Sequence, residues 1–266
     1  GDDHLSNTPR QCLLYDALDF KRPQFSHISM ILGQDKSRLS KRHGATSALA
    51  YRDMGYLPDA MINYLARLGW SHGDQEIFSC EELIKYFSFG SVNTSAAIFD
   101  ANKLSWVNEQ YIQSTPPEEL AQHLERHLVK TAILPEDHCL SPQEIAKVIP
   151  CLNQRAKTLV EMAEKSAFFF KKEVEFDEKA RNKFLTEDAR PLLEKVIAGF
   201  STLDDFSAEN IETLFKKIVE EEGMKLGKLA QPVRVALTGT TVSPGIYDVI
   251  LLLGKEETLK RLQNVV

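Results

Sequence analysis

The sequence predicts a mainly α-helical protein, on three observations. Helix start signals recur along the chain, such as Ser79 followed three residues later by Glu82. Leucines at 120, 124 and 128 repeat at a spacing of four, which places them on one face of a helix. Alternating β-branched and aromatic residues, which would predict strands, are sparse after residue 45. We therefore expect the bulk of the chain to be helical.

The composition is that of an ordinary globular protein. Of 266 residues, 43% are hydrophobic and 26% are charged, and this length predicts roughly two or three domains. No run of about eighteen apolar residues occurs and no charged-then-apolar leader opens the chain, so we expect no membrane partner. The four cysteines lie far apart without a C-x-x-C pair, which predicts free thiols in a reducing cytosol and no metal site.

The net charge of −6 argues weakly against a nucleic-acid partner. It excludes none, because contacts to phosphate depend on local basic patches and not on the sum of the charges.

The first element is a helix preceded by polar residues. Pro9 suits a first helical position, and the leucines at 13, 14 and 18 follow at helical spacing. Asp2, Asp3 and His4 precede this helix, where a helix N-terminus favours anions. Spacing alone fits a capped surface turn at least as well as a binding site.

A basic segment follows a short predicted strand at residues 25–32. Residues 35–44 hold five basic side chains with Ser40 between them: Lys36, Arg38, Lys41, Arg42 and His43. Such charges cannot be buried without partners, so this segment is predicted to be a surface loop. It could neutralise charge on phosphate oxygens during a reaction, or it could be a solvated basic turn.

Helices are predicted through the rest of the first half. Thr46 or Ser47 can cap one that stops near Gly55, Pro58 opens one that stops at Gly69, and Asp100 caps another. Both Trp70 and Trp106 are interpreted as core residues. The Thr-Pro-Pro-Glu run at residues 115–118 marks the start of a new domain.

The second half is predicted to be a helical bundle with a turn-rich end. The helix that starts at Ser141 is expected to be interrupted at Pro150 and to resume with Leu152 and Ala156. Basic residues dominate 155–172, which fits either a phosphate-contacting surface or a solvated helix face. A last bundle is expected from residue 186, and residues 225–239 are rich in small and turn residues. Ser243 and Pro244 are expected to open the final helix.

Three sequence patterns together resemble bacterial glutamyl-tRNA synthetases. The segment G-D-D-H-L-S-N-T-P-R-Q at residues 1–11 is similar to one at the end of their nucleotide-binding fold. R-L-S-K-R at residues 38–42 resembles the KMSKS loop of class I aminoacyl-tRNA synthetases. K-L-G-K-L-A-Q-P-V-R-V-A-L-T-G at residues 225–239, followed by S-P-G at 243–245, is the longest of the three.

The resemblance implies a remnant of the class I nucleotide-binding fold and a stem-contact region, followed by two helical anticodon-binding domains. We assign residues 1–114 to the first part, which carries the KMSKS-type loop. Residues 115–185 and 186–266 are assigned to the two anticodon-binding subdomains.

The resemblance also implies the site residues. The family attaches L-glutamate to tRNA(Glu) through a glutamyl-adenylate, and its substrate ATP is accompanied by Mg²⁺. Lys41, as the catalytic residue, is expected to contact the ATP phosphates and to stabilise charge as pyrophosphate leaves. The ATP site is expected to comprise Asp3, His4, Arg38, Leu39, Ser40, Lys41 and Arg42. The anticodon site is expected to comprise Arg155, Arg234, Ser243, Pro244 and Ile246, and Arg155 matches an arginine that reads the third anticodon base.

The family's His-Ile-Gly-His-type motif and its glutamate-binding arginine are absent from the sequence. We therefore expect the chain to be the C-terminal portion of such an enzyme, monomeric and cytoplasmic, that binds tRNA but makes no adenylate alone. Two other interpretations stay open at this point: a non-catalytic helical module that binds tRNA or docks to a protein, and a helical scaffold whose basic loop is accidental.

Overall fold

Helices dominate the structure, a computed structural model that describes residues 1–40 and 47–266. The described residues divide into two units, Gly1–Ser114 and Thr115–Val266. The mainly α class expected from the sequence is confirmed. The further division of the second unit at residue 186 stays a prediction.

The first unit contains short helices around a two-stranded parallel sheet. A 3-10 helix covers Asp2–Asn7. The α-helices and strands are α1 (Thr8–Ala17), β1 (Ile31–Leu32), α2 (Ala48–Asp53), α3 (Pro58–Gly69), α4 (Cys80–Tyr86), β2 (Ala97–Ile98) and α5 (Ala101–Ser114). The predicted caps are present: Ser47 accepts from the backbone of Leu49, Ser79 and Glu82 form a capping box, and Asp100 caps α5.

The strand expected at residues 25–32 is shorter than predicted. Only Ile31 and Leu32 pair with the second strand, opposite Ala97 and Ile98. The chain then turns back, since the backbone N–H of Gly33 donates to the carbonyl of Ser37 at 2.8 Å. The N–H of Leu39 donates to the carbonyl of Ile31 at 3.0 Å, and Arg38 pairs with Leu32 in an isolated antiparallel β-bridge. The start of the basic segment is therefore fixed to β1.

The two tryptophans differ in burial. Trp70 is 1% exposed and packs against Phe78, as expected of a core residue. Trp106 is 38% exposed, with the Lys103 Nζ atom 4.1 Å from its ring centroid, so the core interpretation was wrong for this residue. Trp106 lies two residues after the buried Leu104 and directly before the buried Val107, so at about 100° per residue its side chain points away from the buried face of α5.

The second unit is a helical bundle. Its α-helices are α6 (Pro117–Lys130), α7 (Pro142–Ala146), α8 (Leu159–Phe170), α9 (Glu178–Phe184), α10 (Arg190–Thr202), α11 (Ala208–Glu221), α12 (Leu226–Thr238) and α13 (Ile246–Gln263). The leucines at 120, 124 and 128 are fully buried, and Ser141 with Glu144 forms a capping box, both as predicted. Phe200 and Phe215 are among the buried residues that unite α10 to α13 in one core. Helix α13 changes direction at Gly254, where φ is 75°.

Three sequence expectations differ from the structure in this unit. Leu152 and Ala156 are buried, but α8 begins only at Leu159, so Arg155 lies on the connecting segment. Residues 226–238 form a helix instead of a turn-rich tail, with Pro232 inside it. A proline within a helix removes only one backbone donor, and the apolar stripe around it was the stronger signal. The final helix is preceded by Gly245, not capped by Ser243.

One buried cation joins the ends of two helices. Arg261 is 4% exposed, and its Nη1 atom donates to the carbonyls of Phe168 and Leu237, each at 2.8 Å. Its Nη2 atom donates to the carbonyl of Lys171 at 3.1 Å, and its Nε atom donates to Glu257 at 2.7 Å. The last carbonyls of α8 and α12, which lack helical partners, are thereby satisfied.

Gly239 ends α12 in a position that excludes a side chain. Its φ is 75°, and a Cβ atom there would collide with the carbonyl oxygen of Glu175. We expect Gly239→Ala to lower the free energy of unfolding by more than about 2 kcal/mol, through left-handed strain and steric overlap. Urea unfolding measures this.

Gly227→Ala is the matched control for that change. Gly227 lies near the start of the same helix, and a methyl group added to it would have no tertiary neighbour within 4 Å. Alanine there should stabilise the protein by about 0.5–1 kcal/mol. Equal effects of the two substitutions would contradict the packing argument at Gly239.

Candidate functional site

The predicted site residues gather in two places, one in each unit. We call Asp3, His4 and Arg38 the Asp3 cluster. We call Arg155, Arg234, Ser243 and Pro244 the Ser243 cluster.

The Asp3 cluster is built on an ion pair. An Nη2 atom of Arg38 lies 3.0 Å from Oδ2 of Asp3, and the Nε2 atom of His4 lies 3.8 Å from the same oxygen. Desolvation acts to raise the pKa of the Asp3 carboxyl, but the charges of Arg38 and His4 outweigh it, so this pKa lies below its ordinary value of 3.8. Asp3 is therefore held as a carboxylate beside the guanidinium of Arg38.

Backbone contacts explain why these residues meet. The N–H of Asp2 donates to the carbonyl of Ile28 at 2.9 Å, which places the 3-10 helix against the chain that enters β1. The ring of His27 hydrogen-bonds through Nε2 to the Thr8 hydroxyl at 2.8 Å. The turn after β1 then returns Arg38 to the same side. The hydrogen bond to Thr8 gives His27 a structural role.

The structure describes the basic segment as far as Ser40. Leu39 is half-buried and its N–H is bonded to β1, and Ser40 is half-buried as well. Lys41 and Arg42, the catalytic candidate and its neighbour, lie outside the described residues. Their assignment stays a prediction.

The Ser243 cluster brings two arginines to one carbonyl group. The Nη1 atom of Arg155 donates to the Ser243 carbonyl at 3.1 Å, and that of Arg234 donates to the same oxygen at 3.2 Å. Arg234 also donates to the Ser243 hydroxyl at 2.5 Å and to the Pro244 carbonyl at 2.9 Å. Ile246, the fifth predicted residue, has its side chain in the hydrophobic core of the bundle.

Secondary structure positions both arginines. Arg234 projects from α12, and the loop from α12 to α13 carries Ser243 and Pro244, which are buried. Arg155 lies before α8, and its backbone carbonyl accepts a hydrogen bond from Lys165 of that helix. Arg155 and Ser243 are 88 residues apart in sequence, so the cluster exists only in the folded chain.

The two arginines of the cluster are bound by uncharged oxygens. Among the described residues neither of them forms an ion pair with a carboxylate, although Glu164, Glu173 and Glu175 line the adjoining cavity. Burial lowers the pKa of Arg234 first, and the nearby charge of Arg155 lowers it further, although arginine stays charged at neutral pH. Neighbouring Cys151 is held as a thiol, because burial raises its pKa to about 11.

A cavity of about 610 Å³ adjoins the Ser243 cluster. Most of the residues that line it were not predicted as site residues, and these include Phe168, Glu173, Thr238, Thr240 and Val242. Lys171 lies in the predicted basic face, and it is paired with Glu175 at 2.7 Å. Whether that face contacts phosphate or is a solvated helix face stays open. The cavity offers hydrogen-bond donors, hydrogen-bond acceptors and an apolar wall.

Residues 1–40 and 47–266 contain no group of three or more His, Cys, Asp or Glu side chains arranged to hold a metal ion. No helix in these ranges is both long and apolar enough to cross a membrane.

Comparison with known proteins identifies both units. Residues 119–266 match the family described as anticodon binding domain, and residues 1–106 match the catalytic domain of class I tRNA synthetases (E and Q). The chain is 52% identical over 264 residues to a glutamate–tRNA ligase of Syntrophobacter fumaroxidans, a match that covers 99% of this chain and 56% of that protein. It is 49% identical over 266 residues to one of Thermodesulfovibrio yellowstonii, covering 100% of this chain and 57% of that protein.

A solved structure agrees with this match. The glutamate tRNA ligase of Elizabethkingia meningosepticum, in complex with its amino acid, superposes with a TM-score of 0.81 at 32% identity, covering 100% of this chain and 55% of that one. The chain thus belongs to the anticodon-binding domain family, and its residues 1–106 are similar to the catalytic domain of class I tRNA synthetases (E and Q). It spans about half the length of the curated relatives that it matches.

The ion pair of the Asp3 cluster gives a pH prediction. Because its pKa is lowered, Asp3 should stay ionised and paired above its ordinary pKa of 3.8, and the pair should be lost only as the pH falls through the lowered value. We expect Arg38→Gln to raise the pKa of Asp3. Carboxyl ¹³C NMR during acid titration measures it.

Asp16 provides the internal control, because its pKa is lowered chiefly by a hydrogen bond from Arg22. Its titration should be the same in both proteins. An Asp3 midpoint that does not move in the Arg38→Gln variant would show that the pair does not form in solution.

Proposed function

We propose that the second unit binds the anticodon of a tRNA at the Ser243 cluster. The observation that carries this proposal is the convergence of Arg155 and Arg234 on the Ser243 carbonyl without a carboxylate partner. Their hydrogen bonds are satisfied by uncharged oxygens, so the positive charge remains available to an anion. An RNA loop supplies both the phosphates and the exposed base edges that guanidinium groups bind.

Arg155 is the residue that we propose reads the third anticodon base. It is exposed, and one Nη1 bond anchors it to Ser243, which leaves other guanidinium donors available to a base edge. Single-stranded loop bases can be splayed out and bound in pockets, and the adjoining cavity offers such a space. Ser243 and Pro244 form the loop beside that base, and Ile246 supports the loop from the core.

In the first unit we propose the ATP-binding role that the relatives' class suggests. Asp3 and His4 would contact the adenosine end of ATP, with Arg38 fixed beside them by its ion pair. Leu39 and Ser40 lead from β1 into the loop, where Lys41 and Arg42 would meet the phosphates. Their positive charge would stabilise the pyrophosphate as it leaves.

For the whole enzyme we propose the ligation of L-glutamate to tRNA(Glu) through a glutamyl-adenylate, with ATP, accompanied by Mg²⁺, as the substrate. The support is that relatives with 49–52% sequence identity along nearly the whole chain are glutamate–tRNA ligases. We further propose a monomer that works in the cytoplasm. Because the chain spans about half of those relatives, it would bind tRNA without forming the adenylate.

The base-reading role of Arg155 predicts a specific loss of selectivity. Arg155→Gln should reduce the preference for tRNA(Glu) over a transcript with a changed third anticodon base by about 1–3 kcal/mol, the range of a good base contact. Filter binding of both transcripts to the 266-residue chain measures the preference.

Arg190→Gln serves as the matched control, because Arg190 is exposed and pairs with Glu194 on the surface of α10. It should leave the preference unchanged. If Arg155→Gln also left it unchanged, Arg155 would not read that base.

The division of labour between binding and chemistry can be tested on the same chain. We expect tRNA affinity that falls steeply with salt, because phosphate contacts release counterions, and no ATP–pyrophosphate exchange. The full-length glutamate–tRNA ligase of Syntrophobacter fumaroxidans is the positive control for exchange. Clear exchange by this chain would refute the proposed division, and binding that is insensitive to salt would favour a protein-docking module or scaffold.

A further inference from the structure

The first unit contains a cavity of about 310 Å³ that no role considered so far uses. Its wall is formed by the end of α3, by residues that lead into β1, and by Trp70 and Phe87. Gly69, the last residue of α3, belongs to this wall, and a Cβ atom added to it would meet no neighbour within 4 Å. Open space therefore adjoins the helix end. We call this space the Trp70 cavity.

The wall of the Trp70 cavity is uncharged. No ionisable side chain is present among the described residues that form it, and most of them are aliphatic or aromatic. A charged ligand would lose its hydration there without gaining a counter-ion, so the cavity does not suit ATP, an amino acid or an RNA phosphate. It suits an uncharged molecule instead, and it is independent of the ATP and anticodon sites.

One polar group of the wall has no partner. Trp70 is 1% exposed, and its Nε1–H is buried and meets no acceptor within residues 1–40 and 47–266. Buried donors without acceptors are rare in folded proteins. The hydroxyl of Ser29, also in the wall, already donates to the carbonyl of Asn93 at 3.1 Å. A bound water needs several polar partners, so this mainly apolar wall favours a ligand that carries its own acceptor.

The indole ring is held in place from several sides. The carbonyl of Trp70 accepts a hydrogen bond from Arg67 at 3.2 Å, and Trp70 pairs with Val92 in an antiparallel β-bridge. Its ring packs against Phe78 and Phe87, with centroids 5.3 Å and 5.8 Å away. The donor is therefore preorganised, and a ligand can accept from it without rearranging the wall.

We propose that the Trp70 cavity binds an uncharged, planar, two-ring molecule whose single acceptor atom receives a hydrogen bond from Nε1 of Trp70. The size follows from the volume, because an apolar cavity of about 150 Å³ holds one benzene ring and this cavity is about twice as large. The planar shape follows from the rings of Trp70 and Phe87, since aromatic side chains pack well against aromatic ligands. The single acceptor matches the single unpaired donor.

Quinoline and naphthalene form a matched pair of probes, because they share one shape and only quinoline carries an acceptor nitrogen. The chain has two tryptophans, so ¹H–¹⁵N NMR at neutral pH shows two indole N–H signals. We expect saturable binding of quinoline to move the Trp70 signal downfield, as a new hydrogen bond does, and naphthalene to bind without that downfield shift. The Trp106 signal should stay in place, because Trp106 does not line the cavity.

Trp70→Phe removes the donor and keeps an aromatic ring. It should weaken the binding of quinoline relative to naphthalene by about five- to tenfold, the contribution of one hydrogen bond. The variant also assigns the Trp70 signal, because that signal disappears from the spectrum. If the ratio of the two affinities is the same in the wild type and in the variant, Trp70 donates to neither probe and the proposal is wrong.

Gly69→Leu tests whether the probes bind in this cavity, and it does not depend on how well Trp70→Phe folds. The added side chain enters the open space at the wall, so it should weaken the binding of both probes alike. Gly90→Leu is the matched control in the same unit, because a Cβ atom there also meets no neighbour within 4 Å and Gly90 lies outside the wall. Equal affinities in the two variants, or no binding of either probe up to its solubility, would overturn the proposal.

Discussion

The second unit depends on the buried guanidinium of Arg261. It binds carbonyls at the ends of α8 and α12 and is neutralised by Glu257 on its own helix. Removing one partner from a buried charged network costs about 3–5 kcal/mol, because the remaining groups stay desolvated. The carbonyls of Phe168 and Lys171, at the end of α8, would also lose their partner. One side chain near the C-terminal end of the chain thus fixes the geometry on which the site is built.

The consequences lead from this contact to the Ser243 cluster. With the end of α12 fixed, the chain can turn at Gly239, whose missing side chain admits the carbonyl of Glu175. The loop that follows is then closed by Arg234 from within α12 itself. The cavity walls share this support, since Phe168 and Thr238 come from the two helix ends that meet near Arg261. The cluster is therefore largely preorganised, and under the proposed function this would lower the entropy cost of binding a flexible RNA loop.

Local signals in the sequence predicted local structure well. The capping boxes at Ser79 and Ser141 and the leucine stripe of α6 depend on residues three or four apart, and all are confirmed. Helix α12 was missed because its small and turn-forming residues were taken to indicate a turn-rich segment, although an apolar stripe runs through it.

The site itself could not be derived from spacing. Arg155 meets Ser243 across 88 residues, and Arg38 meets Asp3 only because a tight turn reverses the chain after β1. The resemblance to a known family supplied those residues, and the structure supplied their contacts: Arg234 is partly buried and hydrogen-bonded to the loop, whereas Arg155 is exposed.

The partners of an arginine show whether its charge is neutralised within the protein. Where arginine supports the fold, as at Arg261, a carboxylate cancels its charge; at the Ser243 cluster, uncharged oxygens bind two arginines and leave their charge uncancelled. Such an arrangement costs stability in the free protein, because like charges repel. Under the proposed function a bound polyanion would restore the balance, although the whole chain carries a net charge of −6.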